Sequence, residues 1–320
     1  MHKFSSLILS VILICTSCLL IGCTPEKAYP EYFEMAKDEF LIPGLDTEFV
    51  PQGICDVTET EFLIAGYMSD STASRLYLVN ATDSSYKMLT LADKDGKDIT
   101  AHLGGIAYSK GIVWLCGSGL VYRITMDSAR QATNKLTLSD SFKSESNSSF
   151  CFADDDYLWV GEFFYAKDNY LTDTSHRKTT AYGDYNAFIC AYAIDNDGLI
   201  ISDTAPTLIL SIRDKIQGMC RVNSGKIVLS ESYGRKNDSH IYIYNALTGK
   251  ADETVTIDGK SVPIYFMTDD KLSLTVTTLP MTEDLDCIGN TVYVVFESSA
   301  SKYASTAKYT HNRVMSFEVK

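Results

Sequence analysis

Basic residues are in deficit: 28 Lys and Arg stand against 41 Asp and Glu, a formal charge of −13. Such a surface repels phosphate backbones, which excludes sequence-independent nucleic-acid binding. Histidines number five, no H-x-x-x-H spacing occurs, and the one C-x-x-C, Cys15-Thr16-Ser17-Cys18, falls inside the N-terminal apolar run, so no structural zinc site is expected. Proline and glycine are sparse, at 7 and 19, which excludes a collagen-like or low-complexity chain. The G-x-S-x-G, Walker A and G-x-G-x-x-G patterns are missing, and with them the usual nucleophile-elbow and phosphate-loop chemistries. Beyond Ile21 no apolar run approaches the roughly 20 residues a spanning helix needs.

What is present is a globular composition: 320 residues, 45% hydrophobic, with 20 Tyr and 14 Phe. The start is distinctive. A short basic opening (His2, Lys3) precedes an apolar run from Leu7 to Ile21, signal-peptide length, which ends in Leu20-Ile21-Gly22-Cys23. That ending looks like a bacterial lipobox, in which the small residue permits cleavage and the Cys23 sulfur carries diacylglycerol. Residues 1–22 are therefore expected to be a lipoprotein signal peptide, and 23–37 the lipidated Cys23 with a short tether. Residues 38–320 would form one domain outside the bacterial cell membrane, held by the lipid. Cys15 and Cys18 leave with the signal.

From Phe40 onward short β-branched and aromatic runs are bounded by Asp, Asn, Gly and Ser turns, and one unit recurs. It has four strands, the first opening near Gly53, Gly105, Phe150, Gly218 and Leu285. The fourth strands are expected at 86–91, 135–138, 207–210 and 253–257. The fifth unit runs out after Arg313–Val319, one strand short, while a spare strand, Glu39–Ile42, sits near the N-terminus. This predicts an all-β propeller of five blades, with six as the alternative, whose last blade is closed by the N-terminal strand. Uneven repeat spacing places insertions near Asp168–Asp184 and Lys260–Pro280.

In a four-stranded blade the 4-to-1 and 2-to-3 connections share one face, here called the top. Inner strands open there with Gln52, His102, Ser149, Gln217 and Glu283. Second strands end there with Glu162, Glu231 and Glu297, read as equivalent to Gly66 and Gly117. The expected ligand-binding set is Gln52, His102, Gln217, Glu231, Glu283 and Glu297. Three roles are open to the Glu residues. They could tie backbone N–H groups between blades. As hard oxygen donors, Glu162, Glu231 and Glu297 could hold Ca²⁺. Two close carboxyls, with His102, could supply the acid and base of a hydrolase. The binding role is the primary expectation and the hydrolase, a lactonase, esterase or glycosidase, the alternative; the partner would be a protein or a small molecule. Tyr165, Tyr170, Tyr182, Tyr233, His176-Arg177 and Arg235-Lys236 fall in long top-face loops. Cys55, Cys151, Cys220 and Cys287 are read at one repeat position, matched by Ala107, as packing residues.

Pro51-Gln52-Gly53-Ile54, His102-Leu103-Gly104-Gly105-Ile106-Ala107, Pro280-Met281-Thr282-Glu283 and Phe296-Glu297-Ser298-Ser299-Ala300-Ser301-Lys302-Tyr303 resemble an uncharacterised family of exported bacterial lipoproteins with a YVTN/SMP-30-like β-propeller. The likeness covers most of residues 40–320 and departs from the family at Asp284-Leu285, where a Gly-Ile pair is expected, and at Ser299, where Gly is commoner. A more distant similarity to SMP-30/paraoxonase-type lactonases implies a channel calcium. Their Asn and Asp ligands have no counterpart here, so that activity does not carry over.

Overall fold

In the computed structural model, residues 24–138 and 140–320 are described. The expected signal peptide and Cys23 lie outside them. Blade 1 is built from Phe49–Asp56, Glu61–Met68, Arg75–Asn80 and Tyr86–Asp93, from channel to rim. Blade 2 uses Leu103–Ser109, Ile112–Gly117, Leu120–Thr125 and Asp140–Phe142. Blade 3 uses Phe150–Ala153, Tyr157–Gly161, Ala187–Ala193 and Leu208–Ile212, and blade 4 Ile216–Arg221, Ile227–Glu231, Ser239–Tyr244 and Leu272–Thr278. Blade 5 takes Thr282–Ile288, Thr291–Phe296 and Arg313–Glu318, then Ala36–Leu41 as its outermost strand. The chain is a five-bladed β-propeller.

Closure follows from the missing strand. Ala36–Leu41 runs antiparallel to Arg313–Glu318, with Ala36 opposite Phe317 and Leu41 opposite Arg313. Phe40 and Ile42 are buried there, packing with Phe62, Val295 and Val314 against blade 1. Inner strands touch their neighbours all the way round, including blade 5 against blade 1. They come close because the residue after the upper bend is small: a Cβ on Gly105 would meet the Cys151 amide at 2.5 Å. In blade 5 that position is Asp284. Its carboxylate fills the space beside Gly218 and accepts from the Ile54 amide at 3.4 Å.

Two outer strands differ from expectation. Lys135–Leu138 does not close blade 2; it lies parallel to Tyr86–Asp93 on the rim of blade 1. Glu253–Ile257 does not close blade 4; it pairs with Lys260–Phe266, and that hairpin lies parallel to Leu208–Ile212 on blade 3. In both cases the chain leaves its third strand, covers the outer edge of the preceding blade, and returns. The detour protects an edge that would otherwise expose unpaired N–H and C=O groups.

The stretch expected to be a tether also differs. Residues after Thr24 form two short helices, α1 (Pro25–Ala28) and α2 (Pro30–Met35), each opened by a proline at its first turn. Tyr32 is fully buried, edge-on to Phe317, and the Tyr29 hydroxyl donates to Asp238 at 2.7 Å while accepting from Lys308 at 3.0 Å. Of the cysteines, Cys55 and Cys220 share the position of Ala107 while Cys151 and Cys287 do not. All six described thiols are free, and all but the half-buried Cys287 are buried.

Candidate functional site

The upper ends of four inner strands carry a β-bulge, at Gln52, Gly104, Gln217 and within the Thr282–Leu285 step that holds Glu283. A bulge inserts one residue and re-aims its side chain. Here the result is convergence: Gln52, Gln217 and Glu283 all line a top-face cavity of about 570 Å³, together with His102 and Glu297. The opposite wall is Phe163, Tyr170 and Tyr233, and Asn147, Ser118, Ser232, Arg235 and Tyr303 complete the rim.

Glu162 and Glu231 are not among the lining residues, which corrects the expected ring. The reason is a one-residue offset. Strand pairing sets Glu231 opposite Ile216, the position held by Gly66, Gly117, Gly161 and Phe296 in the other blades. Glu162 and Glu297 come one residue later, so the structurally equivalent set is Tyr67, Ser118, Glu162, Ser232 and Glu297. A shift of one residue sends a strand side chain to the other face. Glu231 therefore meets Lys215, the Tyr242 hydroxyl and His240. Burial opposes its charge, but these three partners hold it down to about 2. Glu162 is buried: its Oε1 accepts from the Phe188 amide at 2.9 Å and meets His176 Nδ1 at 2.9 Å, and Oε2 accepts from the Asn147 amide at 3.1 Å. Burial alone would lower His176, yet Glu162 holds it above the ordinary range. Glu162 thus ties the long blade-3 insertion to its strand. The expected calcium trio is not brought together, and among the described residues no three His, Cys, Asp or Glu side chains are grouped to hold a metal.

The cavity floor is a carboxyl pair. Glu283, 4% exposed, and Glu297 line it side by side. Burial and then the neighbouring negative charge raise Glu283 well above the carboxylate range, and burial pushes Glu297 up to about 7. Two neighbouring buried carboxyls cannot both ionise cheaply, so each disfavours the charged form of the other. Gln52 bridges the pair to the histidine: its Nε2 donates to Glu297 Oε2 at 2.8 Å and its Oε1 faces His102 Nε2. An amide oxygen only accepts, so His102 carries its proton on Nε2.

Burial and then the Lys302 cation lower His102 to about 4. Its imidazole is expected to stay neutral through the physiological range. NMR titration of its ring signals, assigned with His102→Gln, should be flat from pH 5.5 to 8; an inflection near 6.5 would contradict the coupling to Lys302 and Gln52. Sequence reasoning missed Tyr67 and Tyr303, whose hydroxyls meet at 2.9 Å, with Lys302 donating to Tyr67 at 2.8 Å and Tyr67 edge-on to His102 at 4.5 Å. Their signal was present: Tyr67 occupies the same step after the second strand as Glu297.

No family model matches the chain, and no curated protein does. Among solved structures, the PQQ-bound aldose sugar dehydrogenase of Streptomyces coelicolor is similar at 12% identity and TM-score 0.48, covering 89% of this chain and 98% of that one. The WD40 β-propeller domain of Doa1 follows at 11% identity and TM-score 0.43 (89% and 97% covered). Glutaminyl cyclase of Myxococcus xanthus is similar at 9% identity and TM-score 0.44 (89% and 95%).

Proposed function

We propose that this chain is an exported propeller, anchored through lipid on Cys23, that binds a small hydroxyl-rich ligand at the top of its channel. The lipobox and the resemblance to exported lipoproteins with a YVTN/SMP-30-like propeller support the first half. One observation carries the second: bulges bring Gln52, Gln217 and Glu283 into one cavity with the rings of Phe163, Tyr170 and Tyr233. The Gln217 amide can both donate and accept, as alternating hydroxyls require, while ring faces suit the C–H face of a polyol or sugar. The volume lies in the small-ligand range of about 300–1,000 Å³.

Calorimetry against a panel of monosaccharides, disaccharides and polyols tests this. Gln217→Ala and Tyr170→Ala are expected to weaken the best ligand by about tenfold or more each, one or two lost contacts' worth, with melting temperature nearly unchanged. A panel in which no member binds the native protein ends the reading.

The Glu283–Glu297 pair supports a second reading, acid–base hydrolysis. A buried carboxyl that keeps its proton beside a second one could serve as acid and base on an ester or lactone. Turnover of such substrates, lost in Glu297→Gln, would select this reading.

A further inference from the structure

The course of residues 24–36 bears on which way the propeller faces. Tyr29 is held by Asp238 and Lys308, in the 2-to-3 loops of blades 4 and 5, and packs edge-on against Tyr309 at 5.8 Å. Those loops belong to the cavity face. From there α2 descends the flank, and Ala36 enters its strand opposite Phe317, at the bottom end. α1 is bound back onto its own start, with the Ala28 and Tyr29 amides donating to the Thr24 and Pro25 carbonyls. Thr24 therefore sits at the top rim, and Cys23 is the residue that precedes it in sequence.

Charge around that rim is mixed: Lys27, Arg235, Lys236, Lys302 and Lys308 are exposed there, beside exposed Glu26, Asp70, Asp168 and Asp238, the last paired with Lys308 at 2.8 Å. Across the mouth, the blade-3 insertion presents Tyr170, Leu171 and Tyr182, each about half exposed. Exposed tyrosines beside a leucine and scattered cations suit the interfacial layer of a bilayer. No helix among the described residues is long and apolar enough to cross a membrane, so contact would be made by this surface and the anchor.

We propose that the cavity-bearing face of the propeller lies against the surface of the membrane that anchors it, so that ligand reaches the channel mouth from the membrane side. This rests on the reading of Cys23 as lipidated and adds an orientation to it. The ligand would then be one that resides at, or is released from, the bilayer interface.

The full chain, in a Cys287→Ala background, is processed in bacterial cells and placed in phosphatidylglycerol-containing vesicles. Single cysteines are introduced at Thr72 and Lys236 on the top face and at Thr82 and Thr248 on the bottom, all exposed positions. Labelling by a bulky polyethylene-glycol maleimide is timed at each, on vesicles and in the Cys23→Ser chain. The two top positions are expected to slow by about tenfold or more on vesicles while the bottom pair stays within about twofold, as contact on one face requires. Equal rates on both faces of membrane-bound protein would overturn the orientation and leave the anchor standing. A Cys23→Ser chain that binds membranes as well as the native one would overturn both.

Discussion

A chain shortened to begin at Gly44 is expected not to fold as a monomer. It loses the strand that closes blade 5 and the two helices that precede it. Tyr29, Tyr32, Phe40 and Ile42, each at most 4% exposed, go with them. At about 1.5–3 kcal/mol for each buried side chain, the loss is about 6–12 kcal/mol. A folded domain of this kind has only about 5–15 kcal/mol in total. The strand Arg313–Glu318 would also become an open edge, ready to pair with another copy. Size-exclusion chromatography should show aggregates, and a peptide spanning residues 24–43, added in trans, should recover monomer. A shortened chain that stays monomeric and melts cooperatively within a few degrees of the native one would contradict the closure energetics.

The carboxyl pair predicts a stability that falls as pH rises. Glu297 keeps its proton in the folded state up to about 7, whereas its ordinary value is 4.5. Between those values the unfolded chain binds fewer protons than the native one, so each step up in pH favours unfolding. The contribution is complete below 4.5 and gone above about 7; a shift of that size corresponds to about 3 kcal/mol. Glu283, also raised, acts in the same direction. His102 acts oppositely, since its lowered value adds stability as pH climbs from about 4 to 6.5. The window from pH 6.5 to 8 is therefore the one to read. Denaturation midpoints of the native chain should decline there, and Glu297→Gln, neutral at every pH, should decline less and be the more stable protein at pH 8. Parallel curves for the two would mean that Glu297 ionises freely in the fold.

Much of the architecture could be read from local pattern. Glu39–Ile42 was recognisable as the closing strand because a propeller leaves no place for an unpaired edge. Lys135–Leu138 shows where such reading stops. Its alternation marks a strand with one buried face, and the structure buries Leu136 and Leu138 as that pattern demands. Alternation says nothing about which neighbour the strand joins, and it joins blade 1. Glu253–Ile257 errs in the same way, since β-propensity is local and pairing is not. The N-terminal stretch after Cys23 misled for another reason. Its charges and prolines look like linker, but Tyr32 finds a slot made by strands about 240 residues away in Leu272–Thr278 and 280 away in Arg313–Glu318.

Local pattern in the chain was enough for the fold class, the manner of closure and five of the cavity's polar residues, Gln52, His102, Gln217, Glu283 and Glu297, while five blades against six was settled by the fold. These depend on periodicity and turn residues, which act over a few positions. Only the tertiary structure decided that Glu231 belongs to an ion pair and Ser232 to the cavity. It alone decided that Glu162 anchors a loop and that Glu283 and Glu297 line one cavity together. Those outcomes turn on where a strand bulges and which groups meet across the channel, and a single residue of register reverses a side chain's direction without changing the pattern around it.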